Sequence, residues 1–177
     1  MDHSRVRRIS ALFHALTGLA IIGLPLAVGI ALALEPPNRF DLLASFEGFV
    51  VANPLPNSVI WGVTLLGFLP LLPVVFVLIS MRRLFGFYRC GETLSLRCAL
   101  AIKRIGLGVL LTFVVGVLTH SLQVLALTMP NAPGERSLSI AFNSNDFALL
   151  LTGGLLLLIG WVMGEAVAVA EENRGFV

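Results

Sequence analysis

The chain has 177 residues, of which 57% are apolar and only 12% charged, and its formal net charge is +2. Soluble domains carry roughly 25% charged residues, so this is not an ordinary soluble globule, and its hydrophobicity excludes a disordered chain. A mean hydropathy of +0.94 marks an integral membrane protein, and so small a net charge gives no reason to expect direct binding of nucleic acid.

A helix needs about 20 apolar residues to cross a bilayer core of about 30 Å. Four stretches are long enough: 9–34, 58–81, 105–129 and 147–169. The expected fold is all-α: one domain, a four-transmembrane-helix bundle. The first span follows Arg5, Arg7 and Arg8 and is interrupted by His14 and Thr17. Its basic start and the small-residue triplet Ala31-Leu32-Ala33 imitate a secretory signal. Signal cores, however, run to about 7–15 residues, and this run has 26, so a retained anchor is expected.

The external segment 35–57 opens with Pro36-Pro37 and closes with Asn53-Pro54-Leu55-Pro56-Asn57. Between them, Leu42, Leu43, Phe46, Phe49 and Val50 are spaced for one face of a short helix within 40–51, lying on the membrane surface or capping the bundle. In the second span, Pro70 and Pro73 each remove a backbone donor, which predicts a bend near its middle. Beyond Arg82-Arg83, the residues Met81, Leu84, Phe85 and Tyr88 keep helical spacing, so this helix should continue to about Arg89. Cys90-Gly91 reads as its C-cap region, and Thr93 or Ser95 as the start of the next helix. Residues 82–104 are then a hairpin tip projecting past the headgroups.

The third span follows Lys103-Arg104 and carries His120, Ser121 and Gln123 in its far half. The external segment 130–146 begins with the turn Pro130-Asn131-Ala132-Pro133-Gly134. Leu138, Ile140 and Phe142 then alternate with small or polar residues, a strand pattern. A lone strand is marginal, so it should pair with 48–52 or with a second subunit. The expectation is a small extracytoplasmic cap with a short strand or hairpin. Asn143-Ser144-Asn145-Asp146 reads as turn and helix N-cap. The fourth span contains Glu165 and ends at Glu171-Glu172; its Gly160-x-x-x-Gly164 pair is one of several small-residue surfaces that allow close helix approach.

Ten of the twelve Lys and Arg residues fall in the N-terminal tail, the 82–104 tip and the C-terminal tail; only Arg39 and Arg136 lie on the other side. Cytoplasmic loops retain positive charge, so both termini are expected in the cytoplasm, with the protein in a bacterial inner or plasma membrane.

Ionisable groups inside a span are costly and are the first candidates for function. They are His14, Glu165 and His120, the last grouped with Gln123. His14 and Glu165 enter at similar depth and can pair, unless Glu165 meets Lys103 or Arg104 instead. His14 and His120 start from opposite faces and cannot share a metal or haem. No nucleophile elbow, phosphate loop, zinc-protease motif or paired carboxylates occur, so no catalytic, metal or cofactor residues and no enzyme activity are expected. Cys90 and Cys98 face a reducing compartment and read as free thiols. Arg82, Arg83, Arg89, Lys103 and Arg104 are candidates for cytoplasmic docking or for lipid contact, worth roughly 1 kcal/mol per cation at an anionic surface.

Three stretches carry a family likeness: Arg82-Arg83-Leu84-Phe85-Gly86-Phe87-Tyr88-Arg89-x-Gly91-Glu92, then Lys103-Arg104-Ile105-Gly106, and Gly164-Glu165-Ala166 with Glu171-Glu172-Asn173. With four spans, the chain resembles the bacterial membrane family named for domain of unknown function 2975. The resemblance implies a partnership with a small helix-turn-helix regulator, whose gene often neighbours that of family members. The expected role is therefore a non-enzymatic regulatory or interaction protein. Its partners would be membrane lipids, a cytoplasmic regulator protein and further copies of itself. The alternative is a small-molecule or ion transporter or permeability element acting as an oligomer, against which stands the lack of paired half-helices.

Overall fold

The computed structural model describes residues 3–51, 54–132 and 134–174. Ala52, Asn53 and Pro133, and the side chains of Arg5 and Arg174, all used in the sequence reading, lie outside the described residues. The described residues form six helices: α1 (His3–Leu34), α2 (Arg39–Ser45), α3 (Asn57–Gly67), α4 (Leu71–Arg89), α5 (Leu96–Thr128) and α6 (Ser144–Arg174). Among them, four stretches are long and apolar enough to cross a membrane: Val6–Leu34, Asn57–Arg89, Leu96–Thr128 and Ser144–Asn173. The chain is a multi-pass membrane protein.

The second span is broken where its prolines fall. Pro70 leaves the Leu66 carbonyl without its usual donor, and Pro73 does the same to Leu69. The backbone answers by stepping back three residues: Leu69 N–H bonds Leu66 O at 3.0 Å and Leu72 N–H bonds Leu69 O at 3.2 Å. The break re-aims the span. Its lower half, α4, packs against both α1 and α5, whereas its upper half, α3, packs against α5. A hollow of about 400 Å³ opens beside the break, between Phe68 and Leu24, Val28 and Leu32 of α1.

The spans pack antiparallel in chain order, α1 on α4, α4 on α5 and α5 on α6. Among the described residues they form an open row, with α1 and α6 at its two edges. The α5–α6 contact is the closest because glycines line it: a Cβ on Gly106 would stand 2.7 Å from the Leu157 nitrogen and 2.9 Å from the Gly153 oxygen, and one on Gly160 would stand 2.9 Å from the Lys103 nitrogen. Where α4 meets α5, Leu84 packs with Cys98, Ala101, Ile102 and Ile105.

The turn between α4 and α5 follows the local chemistry. Cys90 is the C-cap of α4, and Gly91 takes φ +85°, the left-handed conformation glycine supplies. Ser95 caps α5, its hydroxyl accepting from the Cys98 N–H at 3.3 Å. Asn143 and Asp146 cap α6 reciprocally: Asn143 Oδ1 accepts from the Asp146 N–H at 3.0 Å, and Asp146 Oδ2 from the Asn143 N–H at 2.9 Å.

The end of the row away from the α4–α5 turn carries a cap with its own core. Leu42 and Phe46 at α2, and Leu55 before α3, pack with Ile60, Val63, Val124 and Leu127. The helix is shorter than 40–51 would suggest, because it ends at Ser45 and Gly48 follows at φ +98°.

The expected cap strand is not formed. No strand occurs among the described residues, and 135–143 is irregular. The apolar alternation is present, yet Leu138 and Ile140 remain 67% and 65% exposed. No neighbouring backbone pairs with the segment, and a strand needs that ladder. Thr128 at the end of α5 and Asn131 just past it hold the two capping segments instead. Thr128 Oγ1 donates to Val124 O at 3.0 Å and accepts from the Ser137 N–H at 3.2 Å. Asn131 Nδ2 donates to Val50 O at 2.7 Å. Thr128→Val keeps the volume but leaves the Ser137 amide unmatched, at a cost of about 1–3 kcal/mol. Faster amide exchange or proteolysis within 135–143, with α5–α6 protection unchanged, is the expected signature.

Candidate functional site

The polar groups divide between the two ends of the row. At the end holding the α4–α5 turn, α1 faces α4 with a stripe of small and polar residues, including buried Ser10 and Thr17. His14 Nδ1 lies 3.0 Å from the backbone oxygen of Arg82. A carbonyl only accepts, so Nδ1 carries the proton and the imidazole clips α1 to α4. Phe13 stacks on Phe85 one turn away, with centroids 5.2 Å apart.

The Arg82 guanidinium folds back along α1. A Cβ on Gly18 would stand 2.8 Å from its Nη1, so glycine there makes room for the arginine. Two cavities flank α4 at this level. The first, about 650 Å³ between α1 and α4, is lined by His14, Ile21, Ile79, Arg82, Arg83 and Arg89 among others. The second, about 470 Å³ between α4 and α5, is lined by Ser80, Arg83, Phe87, Arg97, Leu100 and Arg104 among others. Arg83 and Phe87 belong to both walls.

Among the described residues, no acid lines either cavity. The ion pair there, Arg97 to Glu92 at 3.8 Å, joins a largely exposed arginine to a partly exposed acid and is worth little. Among the described residues, Arg82, Arg83, Arg89 and Arg104 have no carboxylate within salt-bridge distance.

His14 and Glu165 are not brought together, because α1 and α6 occupy opposite edges of the row. Glu165 instead lines an α5–α6 hollow with Lys103 and Trp161. Lys103 Nζ sits 5.7 Å from the centre of the Trp161 ring, a cation–π contact. Arg104 turns to the α4–α5 cavity.

The remaining candidates belong to the capped end. His120 stacks on Phe46 with centroids 5.6 Å apart, and Gln123 Nε2 donates to Val63 O at 2.9 Å. Ser121 donates to the Val117 carbonyl of its own helix, so of His120, Ser121 and Gln123 it is Gln123 that makes a described hydrogen bond to another helix. These groups anchor the cap to α5. His14 and His120 thus sit at opposite ends of the row, and no group of three or more His, Cys, Asp or Glu among the described residues is placed to hold a metal.

Sequence reasoning missed Thr128 and Asn131. Both are buried, but Asn131 falls in a Pro-Asn-Ala-Pro-Gly turn, whose composition reads as surface. It also missed that the arginines surround cavities, which depends on how α1, α4 and α5 pair. Cys98 is buried, with its thiol 3.2 Å from the Glu92 carbonyl oxygen, and Cys90 is exposed; both are free.

Residues 45–174 match a family model described as a protein of unknown function, DUF2975. No curated protein and no solved structure matches the chain.

Proposed function

For a chain that belongs to the DUF2975 family, we propose a non-enzymatic role as a membrane-bound interaction protein that docks a cytoplasmic partner. The observation that carries this reading is the group Arg82, Arg83, Arg89 and Arg104 around α4, which no carboxylate of the described residues pairs with. The positive-inside rule puts that end, and with it both termini, in the cytoplasm of a bacterial inner or plasma membrane. There the α4–α5 turn, bearing Arg89 and Arg97, and the end of α6, bearing Glu171 and Glu172, offer a surface of both signs. Complementary charge of this kind speeds and selects association more than it tightens it. A small helix-turn-helix regulator, the partner implied by the family likeness, is the expected occupant.

The transporter alternative gains no support from the packing: an open row of four helices encloses no lumen, so a pore would need several copies.

Cross-linking pull-downs from native membranes test the docking role. The intact chain is expected to recover a small DNA-binding protein, and the double variant Glu171→Gln, Glu172→Gln to recover several-fold less. Equal recovery from both, or recovery of lipid and self alone, overturns it.

A further inference from the structure

We propose that the two arginine-lined cavities flanking α4 together seat one phospholipid bearing two phosphates, one on each side of Arg83 and Phe87. The proposal rests on the membrane-spanning architecture and claims for a lipid the arginines that carry the docking role, so the two are tested with separate variants.

The position of the cavities argues for an amphiphile. They open where α1, α4 and α5 pass from apolar to basic sequence. In the first, Ile79 lies about a turn deeper along α4 than the Arg82 backbone, and Ile21 about a turn beyond Gly18, where the Arg82 guanidinium rests. A ligand with its charged head at the arginines can lay its hydrocarbon along these isoleucines and out into the bilayer. A soluble anion would leave that apolar wall uncovered.

The charge argues for an anion. Among the described residues, five arginines line the two cavities and no acid does. Cations at this depth are costly without a counter-ion, and basic pockets between helices on the cytoplasmic side suit anionic lipid headgroups. The choice of cation favours an oxyanion, and the oxyanion common to phospholipid headgroups is phosphate. The chain has eleven arginines and one lysine, and that lysine turns away to Trp161. The guanidinium fork matches phosphate oxygens in pairs, which an ammonium does not.

The shared wall argues for two linked phosphates. Arg82 and Arg89 serve the first cavity alone, Arg97 and Arg104 the second alone, and Arg83 stands between. At about 650 and 470 Å³, each is of ordinary size for a ligand site. Two phosphates joined by a short glycerol bridge, as in cardiolipin, place one charge in each cavity across a single side chain.

The test is native mass spectrometry of the full chain in detergent, offered equal amounts of cardiolipin and phosphatidylglycerol with matched acyl chains. One cardiolipin per chain is expected to be retained, at least tenfold in preference to phosphatidylglycerol. Arg104→Gln should weaken retention about fivefold, in keeping with the contribution of one cation near a membrane surface. Arg83→Gln should weaken it more, since both phosphates lose a contact. Arg136→Gln, at the capped end, should change nothing. Arg83 and Arg104 are exposed, and an unchanged melting temperature confirms that the variants fold.

Equal retention of the two lipids overturns the proposal, as does an Arg83→Gln variant indistinguishable from Arg136→Gln. Displacement of the lipid by millimolar inorganic phosphate would mark a soluble-anion site and also overturn it. So would loss of protein capture in Arg83→Gln with cardiolipin retention intact. The tail variants of the docking test touch neither cavity, so either idea can fail alone.

Discussion

Gly106→Val is expected to force α6 away from α5 and to cost the protein at least about 3 kcal/mol, the upper end of ordinary overpacking penalties. Even the first added carbon would stand 2.7 Å from the Leu157 nitrogen and 2.9 Å from the Gly153 oxygen. Both are backbone atoms, so no side chain can rotate aside and the helices must separate. Separation then strips contact from the other close approach, Gly160 over the backbone of Lys103 and Ala99. Gly116 lies on the same helix with nothing within 4 Å of an added Cβ. Gly116→Ala should therefore leave stability unchanged or raise it by up to about 1 kcal/mol through backbone entropy. Melting temperatures in one detergent check the pair. A Gly106→Val variant that melts with the parent chain would show that the α5–α6 contact is not what holds α6.

Leu127→Ala should unseat the cap. Leu127 is fully buried, as are Val63 and Val124, and the three pack with Leu42 and Phe46 in one cluster. Truncating such a side chain costs about 2–5 kcal/mol, the spread reflecting how far the site collapses. The cap has few layers to collapse with, which favours the larger values. The expected readout is protease cleavage within 35–57 under conditions where the parent chain resists. Leu122→Ala, on the same helix but 46% exposed, should stay within about 0.5 kcal/mol of the parent. Equal cleavage of the two variants would mean that the cap is not a packed unit.

The four spans were legible because their signal is composition over length, which needs no knowledge of neighbours. The break at Pro70, the C-cap at Cys90-Gly91 and the Ser95 and Asn143 caps were legible for a related reason: each is settled within about four residues of chain. The cap strand failed because alternation is only half of what a strand requires. Leu138, Ile140 and Phe142 have the pattern, but the second backbone is missing. The pairing of His14 with Glu165 failed for a similar reason. Equal depth puts two residues in one layer of the membrane, and the order of helices within that layer is not written in either span. Arg82 and Arg83 could be read as basic residues at a membrane border. Their cavities could not, since each wall comes from a different helix.

The order of packing also bears on how the protein is made. Each span finds its main partner in the span that precedes it: α4 against α1, α5 against α4, and α6 against α5. These contacts join spans that are neighbours in the chain, although the residues that meet lie far apart in sequence, as His14 and Arg82 do. As synthesis delivers one span after another from the N-terminus, every newcomer meets a surface already in place. α5, by contrast, keeps its Gly106 face open until α6 is made. α6 in turn docks on the three spans already in place.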